Sequence, residues 1–241
     1  MNAERRSSLP TDVGLPSVVG CLAALGMTIL AASLSASEPA RLEARFIGNM
    51  AFAISDETTT LYTDFPYESG AFGYMTYDFD AVPKASVALC LITHGHRDHF
   101  DAPLFLKMDA KIIAPPTLAA ILPSARVIPF APTMVYRDIR VEALKTPHGT
   151  MDHDSYLVTW HGLRLYFTGD TDSTERLLAA KNLDYAFVSP WLLEAVAGQK
   201  KRIDAREVIV YHQRADEKVP PIQNAVVPKQ GDTLVLRAGR N

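Results

Sequence analysis

Val87-Ala88-Leu89-Cys90-Leu91-Ile92-Thr93-His94-Gly95-His96-Arg97-Asp98-His99-Phe100-Asp101 is the stretch that decides how this 241-residue chain is read. Residues 86–92 form a continuous apolar run, the pattern of a β-strand buried on both faces. Directly behind it stand four side chains able to ligate a metal, His94, His96, Asp98 and His99. On an extended or tightly turning backbone alternate residues share a side, so His94 and His96 project together while Asp98 and His99 turn to a neighbouring position. Three of the chain's 7 histidines crowd into this segment beside an aspartate. A solvated polar loop with histidines gathered by chance does not account for that. Imidazole with carboxylate suits Zn²⁺ foremost, and iron or manganese also fit. Asp101 is placed to cap a helix ahead of Leu104 and Leu106.

Working outward, residues 45–54 read as a strand broken at Gly48-Asn49, and residues 59–64 as another that ends at Phe65-Pro66. Residues 67–83, rich in Gly, Tyr and Asp, show no period and read as a long loop. Beyond the histidine cluster the pattern predicts a strand over 111–114, a short helix over 117–122 and a strand over 127–130. Two long alternating runs follow, 135–144 and 156–167, the second folding back at Thr159-Trp160-His161-Gly162-Leu163 as a hairpin. A helix over 174–182 and strands over 185–189 and 208–211 complete the pass. Strands and helices alternating in both halves predict one layered α/β domain over 40–241.

The order of the remaining ligand-type residues is informative. His148 lies in Lys145-Thr146-Pro147-His148-Gly149, Asp170 in Tyr166-Phe167-Thr168-Gly169-Asp170-Thr171, and His212 ends Val208-Ile209-Val210-Tyr211-His212. With His-x-His-x-Asp-His and the upstream Thr63-Asp64-Phe65-Pro66, this sequence of motifs resembles the metallo-β-lactamase superfamily over residues 45–215. The resemblance implies a four-layer αβ/βα sandwich with its site where the two sheets meet at one edge. It further implies two divalent metal ions. His94, His96 and His148 would hold the first, Asp98, His99 and His212 the second, and Asp170 would bridge them together with a water or hydroxide. Asp98 and Asp170 would be the catalytic carboxylates. His153 competes with His148 for the third position on the first ion, or else reaches substrate. Asp64 would support a ligating histidine by hydrogen bonding. Trp191 either lines the pocket or packs in the core, and His161 reads as a hairpin residue.

Several features narrow the reaction that the resemblance implies. Asp170 stands where lactamases of the family often carry Cys, and His99 where they lack His. The diiron flavoprotein branch has Glu where this chain has His96. The compact layout is most similar to the small lactonase and phosphodiesterase-type branch, which implies hydrolysis of an ester, lactone or phosphoester on a small-molecule substrate. Two other classes remain open: a non-catalytic metal-binding periplasmic protein on the same scaffold, and an iron-dependent oxidoreductase.

Composition bounds the rest. Hydrophobic residues make up 48% and charged residues 21%, with a net charge of −3. This is globular and lacks the basic excess that nucleic acid or an anionic membrane surface would require. Residues 1–37 read as a leader, with Arg5 and Arg6, an apolar run over 18–32 and then small residues. That is the order of a secretory signal, and the run falls short of the roughly 20 residues of a spanning helix. The expectation is export to the periplasm or beyond, with an uncleaved N-terminal anchor as the one route to a membrane. Of the 2 cysteines, Cys21 lies in the leader and Cys90 in the apolar strand, so a mature chain has no internal disulfide.

Overall fold

The computed structural model describes residues 41–214, 217, 219 and 224–239. The chain divides into Met1–Ser37 and Glu38–Asn241, and the described residues all belong to the second unit. The leader expectation therefore lies outside the described residues, and among these no helix is long and apolar enough to cross a membrane.

The first half contributes β1 (Arg41–Gly48), β2 (Ala51–Ser55), β3 (Thr60–Thr63), β4 (Ala88–Leu91), α1 (Ala102–Leu106), β5 (Lys111–Ile113) and α2 (Pro116–Ala119). The second half contributes β6 (Thr133–Tyr136), β7 (Ile139–Lys145), β8 (Asp154–Trp160), β9 (Leu163–Phe167), α3 (Glu175–Ala179), β10 (Leu183–Val188), α4 (Pro190–Gly198), β11 (Ala205–Val210), β12 (Ala225–Val226) and β13 (Thr233–Arg237). Two mixed sheets result, one ordered β13-β1-β2-β3-β4-β5 and the other β12-β11-β10-β9-β8-β7-β6.

Alternation along the central strands makes the layers. In β4, Leu89 and Leu91 point into the core between the sheets, while Ala88 and Cys90 face the other way, toward Phe105 of α1 and Leu118 of α2. In β10, Tyr185 and Phe187 face the inter-sheet core, and Ala186 and Val188 face Leu192 and Leu193 of α4. Each central strand is thus buried on both faces, as its unbroken apolar run demands. The result is a four-layer αβ/βα sandwich with three apolar seams. Truncating Leu89 or Phe187 to Ala at the midline is expected to cost about 2–5 kcal/mol.

The turns follow local chemistry. Asp101 caps α1, its Oδ1 accepting the Leu104 N–H at 2.9 Å. His161 and Gly162, both at positive φ, make the two-residue β8–β9 hairpin, the backbone that matches strand twist. The alternating run over 135–144 is broken by a second two-residue hairpin at Arg137-Asp138, where Tyr136 pairs with Ile139. The strand expected over 127–130 is not formed: Val127 makes a single bridge to Ile112. Pro129 interrupts that segment, and proline cannot donate to a ladder. The helices expected over 117–122 and 174–182 are shorter, and α4 and β13 had no counterpart in the sequence reading.

Candidate metal centre

The histidine cluster leaves β4 and turns at the edge shared by both sheets. Its backbone is held by Asp64, which closes the stretch after β3 at positive φ. Asp64 Oδ1 accepts the Thr93 N–H at 2.7 Å, and its Oδ2 lies 3.3 Å from His99 Nδ1. With Nδ1 facing a carboxylate, His99 turns Nε2 inward. His94 is oriented in the same manner, its Nδ1 3.2 Å from Thr93 Oγ1.

Two groups of ligand atoms converge. His94, His96, His148 and Asp170 form the first, Asp98, His99, Asp170 and His212 the second, and within each all ligand atoms lie within 4.8 Å of one another. In the first, His94 Nε2 and His148 Nε2 approach His96 Nδ1 at 2.9 and 3.4 Å. In the second, His99 Nε2 and His212 Nε2 lie 3.2 and 3.1 Å from Asp170 Oδ1, and His212 Nε2 is 3.5 Å from Asp98 Oδ2. Asp170 belongs to both. All seven residues named in the sequence thus meet at one place.

His153 does not join them. Its Nε2 accepts the Asp170 N–H at 2.9 Å and its Nδ1 faces Thr146 Oγ1 at 2.9 Å, so neither nitrogen has a lone pair free for a ligand bond into the cluster. His148 occupies the position for which the two compete. Trp191 opens α4 half-buried, its ring 4.8 Å from that of His212 and edge-on to it. It packs against the outer seam of the second sheet and borders the site as well. His161 lies away from the centre, its Nε2 2.8 Å from Asp56 Oδ2.

The electrostatics suit cations. Burial, and then the neighbouring His99, drive the His94 pKa far below the usual imidazole range, so His94 is neutral with a lone pair to give. Burial alone would lower His99, but the Asp170 and Asp64 carboxylates outweigh it and hold His99 well above that range. Burial would raise Asp170, yet His99 and His212 keep it ionised well below the normal carboxylate range. Burial pulls His153 down to about 3. Metal fit is testable on two atoms. His99 Nε2 and Asp170 Oδ1 are sealed from solvent and, though 3.2 Å apart, lack hydrogen-bond geometry with each other or with any partner. A buried polar atom left so costs about 1–3 kcal/mol, and a shared cation satisfies both. The donor set fits two divalent ions.

Asn49 and Tyr74 escaped the sequence reading. Asn49, at positive φ in the β1–β2 turn, donates from Nδ2 to the Asp98 carbonyl at 2.8 Å and accepts the His212 N–H at 2.7 Å through its own carbonyl. It ties the two ends of the second ligand group together, and the Gly48-Asn49 break was the one available signal. Tyr74 of the long loop stands edge-on to His212, ring centres 4.4 Å apart. With Trp191, His212, Arg214 and Glu217 it lines a cavity of about 360 Å³. Phe72, also at positive φ and 60% exposed, stands 6.3 Å from the His96 ring. The centre therefore opens between aromatic walls.

No family model and no curated protein matches the chain. Solved structures do. A protein described as a metal-dependent hydrolase from Parabacteroides distasonis superposes with a TM-score of 0.57 at 24% identity, over 74% of this chain and 84% of its own. A metallo-β-lactamase-fold protein from Bacillus subtilis gives 0.63 at 13% identity, over 82% and 100%. A diiron β-hydroxylase from Streptomyces venezuelae gives 0.50 at 18% identity, over 73% of this chain and 45% of its own. The chain has the metallo-β-lactamase fold, and its ligand-type residues gather at the sheet edge.

Proposed function

We propose that this protein is a dinuclear metal-dependent hydrolase of an ester, lactone or phosphoester, acting outside the cytoplasm. The observation that carries the reading is the Asp170 carboxylate, common to two ligand groups, whose Oδ1 and the facing His99 Nε2 are buried without a hydrogen-bond partner within the protein. Two divalent ions held there would supply Lewis acidity, lowering the pKa of a bound water toward neutrality and polarising a carbonyl or phosphoryl oxygen. The chain's own residues do the rest. His94, His96 and His148 would hold one ion and Asp98, His99 and His212 the other. Asp170, common to both groups, would offer a carboxylate to each ion and offset the repulsion between them. Asp64 and Thr93 fix the ring orientations behind them. Tyr74 and Trp191 supply aromatic walls beside the site, and Arg214 and Glu217 line the same cavity. The placement outside the cytoplasm rests on the leader sequence alone.

Zinc is the metal favoured by imidazole and carboxylate ligands. The test is elemental analysis of the mature protein with activity profiling over lactones, phosphodiesters and esters. About two zinc per chain, with hydrolysis lost on chelation, is the expected result. A metal-free chain that is folded and active sinks the reading. Likeness to a diiron hydroxylase supports one competing reading, iron-dependent oxidation at the same residues. Stoichiometric iron with oxygen consumption would decide for it.

A further inference from the structure

One buried imidazole in the centre gives no atom to the ligand groups. His153 is fully buried, with its ring centre 5.3 Å from that of His94 and 5.5 Å from that of His148. Both of its nitrogens are engaged elsewhere, and the direction of each contact can be deduced. Ser155 Oγ lies 2.6 Å from the Thr168 carbonyl oxygen. A carbonyl only accepts, so the Ser155 proton is committed to it. Ser155 must then accept from the Thr146 hydroxyl, 3.0 Å away. With that proton spent, Thr146 accepts in turn from His153 Nδ1 at 2.9 Å. A neutral ring carrying its proton on Nδ1 presents a bare Nε2. The opposite end of the chain requires the same thing independently, because a backbone N–H only donates and that of Asp170 points at Nε2 from 2.9 Å.

The backbone is shaped to this ring. Gly169 has φ +62, and a Cβ there would stand 2.2 Å from His153 Nε2. No side chain fits between the turn and the imidazole. The relay leaves Asp170, passes through His153, Thr146 and Ser155, and returns to Thr168. It thereby ties the turn carrying Asp170 to the end of β7 and the start of β8.

We infer that His153 is a positioning residue, a neutral imidazole locked in its Nδ1–H tautomer that holds the Asp170 backbone and so aims the carboxylate shared by the two ligand groups. This inference rests on the two-ion reading, and its tests separate the two. The first reads the tautomer directly, by long-range ¹⁵N–¹H NMR on the metal-free wild-type chain. The expected result is a protonated Nδ1 and an unprotonated Nε2. A proton on Nε2, or a charged ring at neutral pH, overturns the inference with no variant needed. The second is zinc titration of the chelator-treated chain and of His153→Gln and His153→Leu. Glutamine carries its amide oxygen as many bonds from Cβ as Nε2 and keeps an acceptor for the Asp170 N–H, whereas leucine keeps none. His153→Leu is expected to bind zinc about 10–100-fold more weakly, with altered absorption bands after cobalt substitution, and His153→Gln to recover most of the affinity. Wild-type zinc affinity in His153→Leu overturns the inference. A wild-type chain that takes up no zinc sinks the two-ion reading by itself, and the NMR tautomer then decides the His153 assignment alone.

Discussion

Removing metal from this protein should leave a chain whose stability peaks near pH 6.5 and falls on both sides. Four buried histidines set the shape. His94 and His153 have folded pKa values pushed down, by burial first. Below the unfolded value of about 6.5 the unfolded chain binds protons that the native chain refuses, so stability drops as pH falls. His99 and His212 are held up, against burial, by Asp170 above all. Their contribution is complete below about 6.5 and is lost as pH rises toward their folded values. Each group approaches 1.36 kcal/mol per pH unit away from 6.5, and near that pH the two pairs partly cancel. One unit to either side the net loss is about 1 kcal/mol; His96, lowered by burial and by His148, adds to the acid limb. The assay is urea unfolding of chelator-treated protein at half-unit steps from pH 5 to 8, repeated with saturating zinc. Zinc replaces the protons on His99 and His212, so the alkaline limb should disappear and stability should rise across the range. A metal-free profile that is flat or rises throughout refutes the assigned charge states, and identical profiles with and without zinc refute the metal site.

Other expectations are as direct. Asp170→Asn leaves Asp98 as the one carboxylate in either ligand group. Two divalent ions about 3.5 Å apart repel by roughly 19 kcal/mol at an effective dielectric of about 20, so elemental analysis should find no more than about one zinc per chain, with kcat/KM down on the order of 10³-fold, or about 4 kcal/mol. Asn49→Gly keeps the left-handed turn and removes the buried side-chain amide with its hydrogen bond to the Asp98 carbonyl, costing about 1 kcal/mol or more in urea unfolding. Asn49→Ala adds backbone strain and should cost about 1 kcal/mol more; an equal loss in the two would disprove the role given to the backbone. Cys90 is fully buried and burial pushes its thiol far above the normal range, so thiol reagents at pH 8 should label it only after unfolding.

The fold was legible where local pattern and burial coincide. The run over residues 86–92 announced a strand with two buried faces because its central residues, Ala88 to Leu91, are covered on both sides, and β4 sits between β3 and β5 with apolar seams on either side. The ligand residues were legible because each falls at a strand end, where a change from apolar to polar marks the edge of the sheet. What escaped depends on contacts distant in sequence. The segment that becomes β13 is a short stretch with a single buried side chain, and it is a strand because Arg237 pairs back to Arg41 at the other end of the domain. Asn49 looked like turn chemistry, which it is, but its amide and carbonyl also reach Asp98 and His212, and no local rule predicts that.

His153 makes the same point inside the site. By sequence it matched His148 in residue type and nearly in position, and what favoured His148 was the strand and the Pro147 turn directly before it. They differ in what their nitrogens meet: His148 Nε2 faces His96, whereas His153 spends one nitrogen on a hydroxyl and the other on the backbone of the turn below it. That distinction depends on Gly169, whose missing side chain lets the turn close on the ring. Gly-Asp-Thr thus does two things at once. The aspartate supplies the carboxylate that two cations would share, and the glycine before it admits the imidazole that aims that carboxylate. A ligand shared by two ions tolerates less error than a ligand to one, since a rotation that improves one bond lengthens the other. The demand for accurate placement therefore falls on the backbone of Asp170, where this chain sets a buried relay of three side chains, His153, Thr146 and Ser155.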